Sequence, residues 1–173
     1  MKFTFLLLLL YTTLLFGQDY KIIQDGNSSE SILVGISSKK AFQDSNFASW
    51  FNSEYTNYNV NTKTLGNYKN YFEDKIIKTV LGTWCSDSRR EVPRFVKILD
   101  FIGFPEDKHL FFNGDRNKKG LFDEVDNLNI EFVPTIIIYE NGEELGRIVE
   151  APEVSLEADL IKIIIKNIPE DNE

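Results

Sequence analysis

The 173-residue sequence has only one cysteine and one histidine, and this scarcity limits its chemistry. A lone cysteine excludes an internal disulfide as the support of the fold. One cysteine and one histidine cannot supply the four ligands of a closed zinc site, so we expect no metal and no cofactor. Basic residues are also few, with 19 Lys and Arg against 27 Asp and Glu, and a net charge of −8. No basic cluster rises above this background, so we expect no nucleic-acid partner.

A single long apolar run lies at the N-terminus. Lys2 precedes residues 3–16, which are apolar except for three threonines, and Gly17 and Gln18 follow. This run is shorter than the roughly 20 apolar residues of a membrane-spanning helix. The pattern therefore predicts that residues 1–17 are a cleaved signal peptide, with an uncleaved anchor as the alternative. Cleavage predicts an exported protein, periplasmic or extracellular, without a membrane span.

The rest of the composition is that of a globular protein. Hydrophobic residues make up 42% of the chain and include 14 phenylalanines, which argues against disorder. At this length we expect one hydrophobic core. After the signal peptide we divide the chain into an N-terminal strand and helix extension at 18–64 and a main domain at 65–173.

Strand and helix patterns alternate through the main domain. The predicted elements are strands at 75–82, 110–113, 134–139 and 144–149, and helices at 87–101, 118–128 and 156–168. In the extension, a strand at 31–36 and helical spacing at 39–58 follow a polar segment, 19–30, that we expect to be mobile. A strand–helix–strand unit implies parallel pairing, and Asn141-Gly142 predicts a hairpin with antiparallel strands. The predicted fold class is therefore α/β, with a mixed central sheet flanked by helices on both faces.

The sole cysteine stands where a predicted strand ends and a helix begins, within Trp84-Cys85-Ser86-Asp87-Ser88. The first turn of a helix has unpaired N–H groups and a partial positive charge. Both favour a thiolate, which is the nucleophilic form of cysteine. Cys85 is therefore the candidate catalytic residue, with a buried and unreactive cysteine as the alternative.

The Trp-Cys-x-x-Ser pattern at this junction resembles the active site of the thioredoxin family. A second match is Val133-Pro134-Thr135, just before a predicted strand. The resemblance covers residues 65–168, and residues 82–95 resemble exported thioredoxin-like proteins of flavobacteria and their relatives. It implies a thioredoxin-like fold with a cis proline at Pro134 that faces Cys85. It also implies that Trp84, Val133, Pro134 and Thr135 bind substrate.

The chain departs from the family pattern at the resolving cysteine, whose position holds Ser88. No intramolecular disulfide can form, so the resemblance implies monothiol chemistry of the isomerase or mixed-disulfide type. We expect Ser88 to act with Cys85 as a hydrogen-bond partner of its thiolate. The charge of Asp87 opposes the thiolate, and Arg89 and Arg90 are expected to offset Asp87.

Two functions remain open from the sequence. The first is thiol-disulfide exchange through Cys85 with disulfide- or thiol-containing proteins or small thiols as partners. The second is a non-catalytic binding module that docks peptides or a partner protein at the proline groove. A thiol peroxidase ranks last because no proline precedes Thr83 in the pattern such enzymes have. For either function we expect a monomer.

Overall fold

Six strands form a single sheet in the order β1-β2-β4-β3-β5-β6. The computed structural model describes residues 19–66 and 68–167. The strands are β1 (Asp19–Gln24), β2 (Ser31–Ser37), β3 (Lys75–Leu81), β4 (His109–Asn113), β5 (Thr135–Glu140) and β6 (Glu143–Val149). The α-helices are α1 (Ala48–Asn57), α2 (Thr62–Leu65), α3 (Ser86–Ile102) and α4 (Leu156–Ile164). Short 3₁₀ turns occupy Lys39–Gln43, Lys69–Phe72, Glu106–Lys108, Asp126–Leu128 and Ile165–Asn167.

The predicted signal peptide, residues 1–17, lies outside the described residues. So does the end of the predicted last helix beyond residue 167. Within 19–66 and 68–167, no helix is both long enough and apolar enough to span a membrane.

Strand directions confirm the predicted α/β class and its mixed sheet. β3 and β4 are parallel and are joined through α3. Every other neighbouring pair is antiparallel. β2, from the N-terminal extension, pairs with β4, so the extension and the main domain share one sheet.

Helical structure covers the two faces of the sheet unequally. α1, α3 and α4 pack on the face that carries Ile77 and Leu81 of β3. The opposite face carries Val80 and Phe112 and is covered by apolar side chains of residues 125–133. The regular helical part of that cover is the 3₁₀ turn at Asp126–Leu128.

The prediction of a helix at 118–128 is wrong, because the helical structure in this segment is limited to that 3₁₀ turn. Lys118 adopts a left-handed backbone with φ 61°. The Glu124 carboxylate accepts hydrogen bonds from the backbone N–H groups of Leu121 and Phe122, at 2.9 and 2.7 Å. Such local bonds from side chain to backbone compete with the bonds of a helix.

The segment 19–30, predicted to be mobile, contains a strand. β1 pairs with β2 along its full length and forms an antiparallel hairpin. All six β1 residues are exposed, so the strand is held by backbone pairing rather than by a buried side-chain face. Because its sequence lacks the alternation of a half-buried strand, the periodicity did not reveal it.

The only histidine of the chain is a core residue. His109 is buried, and its Nε2 lies 2.8 Å from the Thr79 hydroxyl oxygen. Burial lowers the pKa of His109 from 6.5 to about 3, and the nearby positive charge of Lys39 makes a smaller contribution in the same direction. The histidine is therefore neutral in the folded protein at neutral pH.

This burial predicts a loss of stability in mild acid. The unfolded state takes up a proton below pH 6.5 that folded His109 accepts only near pH 3. The contribution of His109 to the free energy of unfolding is therefore fully present above pH 6.5. It is lost as the pH falls from 6.5 towards 3. We expect about 2 kcal/mol to be lost between pH 7 and pH 5 from this residue. Urea unfolding of the wild type and of His109→Gln at several pH values measures this loss. Unfolding free energies that change with pH in parallel for the two proteins would contradict the prediction.

Candidate thiol site

Cys85 is the N-cap residue of helix α3 and ends the loop that follows β3. Its backbone is extended, with φ −88° and ψ 129°, and its carbonyl accepts from the Arg89 N–H at 3.0 Å. The preceding turn is closed by the Cys85 N–H, which donates to Gly82 O at 2.9 Å. α3 buries one apolar side and ends at Gly103, whose φ is 73°. The sulfur thus lies at the N-terminal, partially positive end of a 17-residue helix.

The segment Val133-Pro134-Thr135 lies against the sulfur. Cys85 Sγ donates to the Val133 carbonyl oxygen at 3.2 Å, and the Val133–Pro134 bond is cis. All three segment residues are buried, and Glu150 N–H donates to Pro134 O at 2.7 Å. Cys85 itself is half-buried. The structure therefore brings together the two motifs that the sequence singled out.

Ser88 lies one turn into α3 and is fully buried. Its hydroxyl oxygen accepts from the Gly82 N–H at 3.3 Å, which ties α3 to the end of β3. Within the described part of the chain, no hydrogen bond joins Ser88 to Cys85. Its expected role as a thiolate partner stays a prediction.

The charged residues around the helix start are paired, but not as the sequence analysis expected for Arg89. Arg90 forms the ion pair with Asp87, at 2.8 Å. Arg89 instead donates to Thr83 O at 2.5 Å and pairs with Glu30 at 2.6 Å. The reason is helical spacing: Arg90 is three residues from Asp87 and faces it, whereas Arg89 is two residues away and does not.

Trp84 packs across the loop that precedes the cysteine. Its indole Nε1 donates to Gly114 O at 2.9 Å, which joins the loops after β3 and β4. The ring lies so close to Gly82 that a Cβ there would be 2.4 Å from it. The Arg116 guanidinium lies 5.2 Å from the ring centroid. Trp84 and Cys85 both pack against the cluster that contains Val133.

The tip of the first hairpin, residues 25–30, also borders this site and was missed by the sequence analysis. Asp25 is buried and binds Arg116, while Glu30 binds Arg89. Hydrogen bonds from Arg116 and then Ser28 hold the pKa of Asp25 well below its usual value. The turn residues after Asp25 were a usable signal, because such a turn before a strand is typical of a hairpin.

His109 lies far along the sheet from the sulfur. It pairs with Ile77 near the start of β3, whereas Cys85 follows the end of that strand. The histidine therefore supplies no base at the thiol site. Among residues 19–66 and 68–167, no group of three or more His, Cys, Asp or Glu residues could hold a metal ion.

No family model and no curated protein matches this chain. Some solved structures are similar to it. Oxidised mitochondrial thioredoxin 3 of Saccharomyces cerevisiae is 19% identical, covering 58% of this chain and 87% of its own, with a TM-score of 0.37. Oxidised thioredoxin O2 of Arabidopsis thaliana is 18% identical, covering 69% and 87%, with a TM-score of 0.37. A Pseudomonas aeruginosa protein of unknown function is 17% identical, covering 68% and 76%, with a TM-score of 0.39.

The contact between Gly82 and Trp84 predicts that Gly82→Ala displaces the indole. The added Cβ cannot fit at 2.4 Å from the ring, so we expect a destabilisation of about 1–3 kcal/mol. We also expect a red-shifted tryptophan emission as the ring moves into water. Gly26→Ala is the matched control, since no atom lies within 4 Å of its added Cβ. Equal emission and equal melting temperatures for the two variants would contradict this account of the loop.

Proposed function

We propose that this chain is an exported thioredoxin-like protein that performs thiol-disulfide exchange with one cysteine, Cys85. The observation that carries the proposal is the position of the sulfur. Cys85 is half-buried at the start of α3, and its sulfur lies 3.2 Å from the Val133 carbonyl oxygen. Ser88 places a buried hydroxyl where a second thiol would resolve the intermediate.

The exchange step follows from that arrangement. The Cys85 thiolate attacks one sulfur of a substrate disulfide, a new S–S bond forms to Cys85, and the other substrate sulfur leaves as a thiolate. The mixed disulfide is released when a second thiolate attacks it, and Cys85 leaves as a thiolate. That second thiolate comes from the substrate itself or from a small external thiol. Isomerisation and the removal of small thiols fit this scheme, because neither needs a second protein cysteine.

The electrostatic setting supports a nucleophilic role. The N-terminus of α3 favours the anionic sulfur. Asp87 would oppose it, and Arg90, which lies 2.8 Å from that carboxylate, offsets part of its charge while also pairing with Glu91 at 2.6 Å.

A substrate would dock on the segment beside the sulfur. The Val133 carbonyl already accepts the Cys85 thiol, so a peptide disulfide laid along Val133-Pro134-Thr135 would bring its sulfur to the nucleophile. Trp84 would cover the other side of the bound peptide. Proteins with thiols or disulfides and small thiols are the proposed partners, and the protein would act as a monomer.

The second candidate is a non-catalytic module that binds peptides at the same segment, Val133-Pro134-Thr135. It is favoured by the hydrogen bond from Cys85 Sγ to Val133 O, since a donating sulfur is a neutral thiol. This candidate predicts slow alkylation of Cys85 at neutral pH. Exchange predicts fast alkylation.

Adduct capture in intact cells separates the two candidates. Thiols are blocked, the tagged protein is isolated, and wild type is compared with Cys85→Ala on non-reducing gels. We expect Cys85-dependent adducts, because no second thiol of the chain can release them. Adducts that persist in Cys85→Ala would contradict the mechanism. A wild-type monomer without adducts would favour the binding module.

Ser88→Cys supplies the missing second thiol and predicts the opposite outcome. The new cysteine attacks the mixed disulfide, so the adducts are lost and an internal disulfide forms in their place. Ser88→Ala is the matched control and should retain the adducts. Adducts of equal abundance in Ser88→Cys and Ser88→Ala would contradict a role for this position in release.

Export is tested on the protein made by its own host or a bacterial one. Cleavage after Gly17 predicts a mature chain that begins at Gln18 and is found outside the cytoplasm. N-terminal sequencing of fractionated cells reads this directly. An intact chain in the membrane fraction would favour the uncleaved anchor, and an intact chain in the cytoplasm would contradict export.

A further inference from the structure

The tip of the first hairpin reaches the thiol site through a buried carboxylate. Asp25 is 4% exposed, although it lies in the turn that follows a fully exposed strand. A buried carboxylate is costly unless it is paired and hydrogen-bonded. The partners of Asp25 therefore indicate what holds the tip in place.

Arg116 is the principal partner of Asp25. Its Nε lies 3.0 Å from both carboxylate oxygens, and its Nη2 lies 2.7 Å from Oδ2. Ser28 adds a hydroxyl at 2.7 Å from the same oxygen. Two guanidinium nitrogens on one carboxylate fix the plane of the guanidinium as well as its position.

The fixed guanidinium lies against Trp84. The distance from its central carbon to the indole centroid is 5.2 Å, within the range of a cation–π contact. The indole is also held by its Nε1 bond to Gly114 O. Arg116 thus connects the hairpin tip to the residue next to the cysteine.

We propose that Asp25 and Arg116 are positioning residues of the thiol site: Asp25 orients Arg116, and Arg116 holds the Trp84 indole beside Cys85. The hairpin tip then forms part of the thiol site. This inference rests on the proposed function for its use in exchange, but the placement of Trp84 is measurable without any exchange reaction.

The first measurement is acrylamide quenching of Trp84 fluorescence in a Trp50→Phe background. Trp50 Nε1 is buried without a hydrogen-bond partner in the described part of the chain, so phenylalanine there loses no such bond. The variants are Asp25→Asn, Arg116→Gln and their combination. A contact of 0.5–1 kcal/mol predicts a rise in quenching of about two- to fivefold in each. Lys119→Gln is the control, because its exposed pair with Asp126 does not touch the indole.

The combined variant distinguishes one connected set of contacts from two independent ones. If Asp25 acts only through Arg116, the double variant quenches no more than either single variant. Additive increases, or no increase in the single variants, would overturn the proposal. A change in melting temperature without a change in quenching would also overturn it, since that is the outcome for a purely structural ion pair.

The second measurement is the rate at which iodoacetamide alkylates Cys85 in the same variants. Release of the indole is expected to uncover the sulfur and to raise this rate together with the quenching. Higher quenching with an unchanged alkylation rate would overturn the link to the thiol. Failure of the proposed function is a different result, in which cellular adducts are absent while Trp84 still responds to Asp25 and Arg116.

Discussion

The parallel pairing of β3 with β4 is the constraint on which the site depends. Leu81 lies opposite Asn113, so both strands end at one edge of the sheet, and Gly114 N–H donates to Leu81 O at 2.8 Å. β5 is antiparallel to β3, so its start, at Thr135, meets the end of β3. β2 is antiparallel to β4, so the hairpin tip before it reaches the same edge. Sheet topology therefore brings three distant segments next to the loop that carries Cys85.

Charged residues near the thiol form ion pairs, although the chain as a whole is acidic. The pairs are Asp25 with Arg116, Glu30 with Arg89, and Asp87 with Arg90. The first two also attach the hairpin tip to the loops after β4 and β3. Arg90 divides its charge between two carboxylates, since it also lies 2.6 Å from Glu91.

The strands and helices with strong patterns were predictable from sequence, and the contacts between distant segments were not. β2, β3 and α3 lie within a residue or two of their predicted positions because burial imposes a period on their side chains. β1 has no buried face, so the hydrophobic periodicity did not predict it. Residues 118–128 have helical periodicity, but a side chain there binds backbone N–H groups, so the prediction of a helix was wrong. The junction at Cys85 was predictable from its motif. The pairing of Asp25 with Arg116 spans 91 residues and follows only from the sheet order.

The most direct test of the account is the reaction of the purified protein with oxidised glutathione, followed by intact-mass spectrometry. If Cys85 is a reactive monothiol, it becomes glutathionylated, one thiol is released for each protein, and the adduct persists until another thiol is added. An unchanged mass would contradict a reactive Cys85. An adduct that is lost without added thiol would contradict the monothiol mechanism.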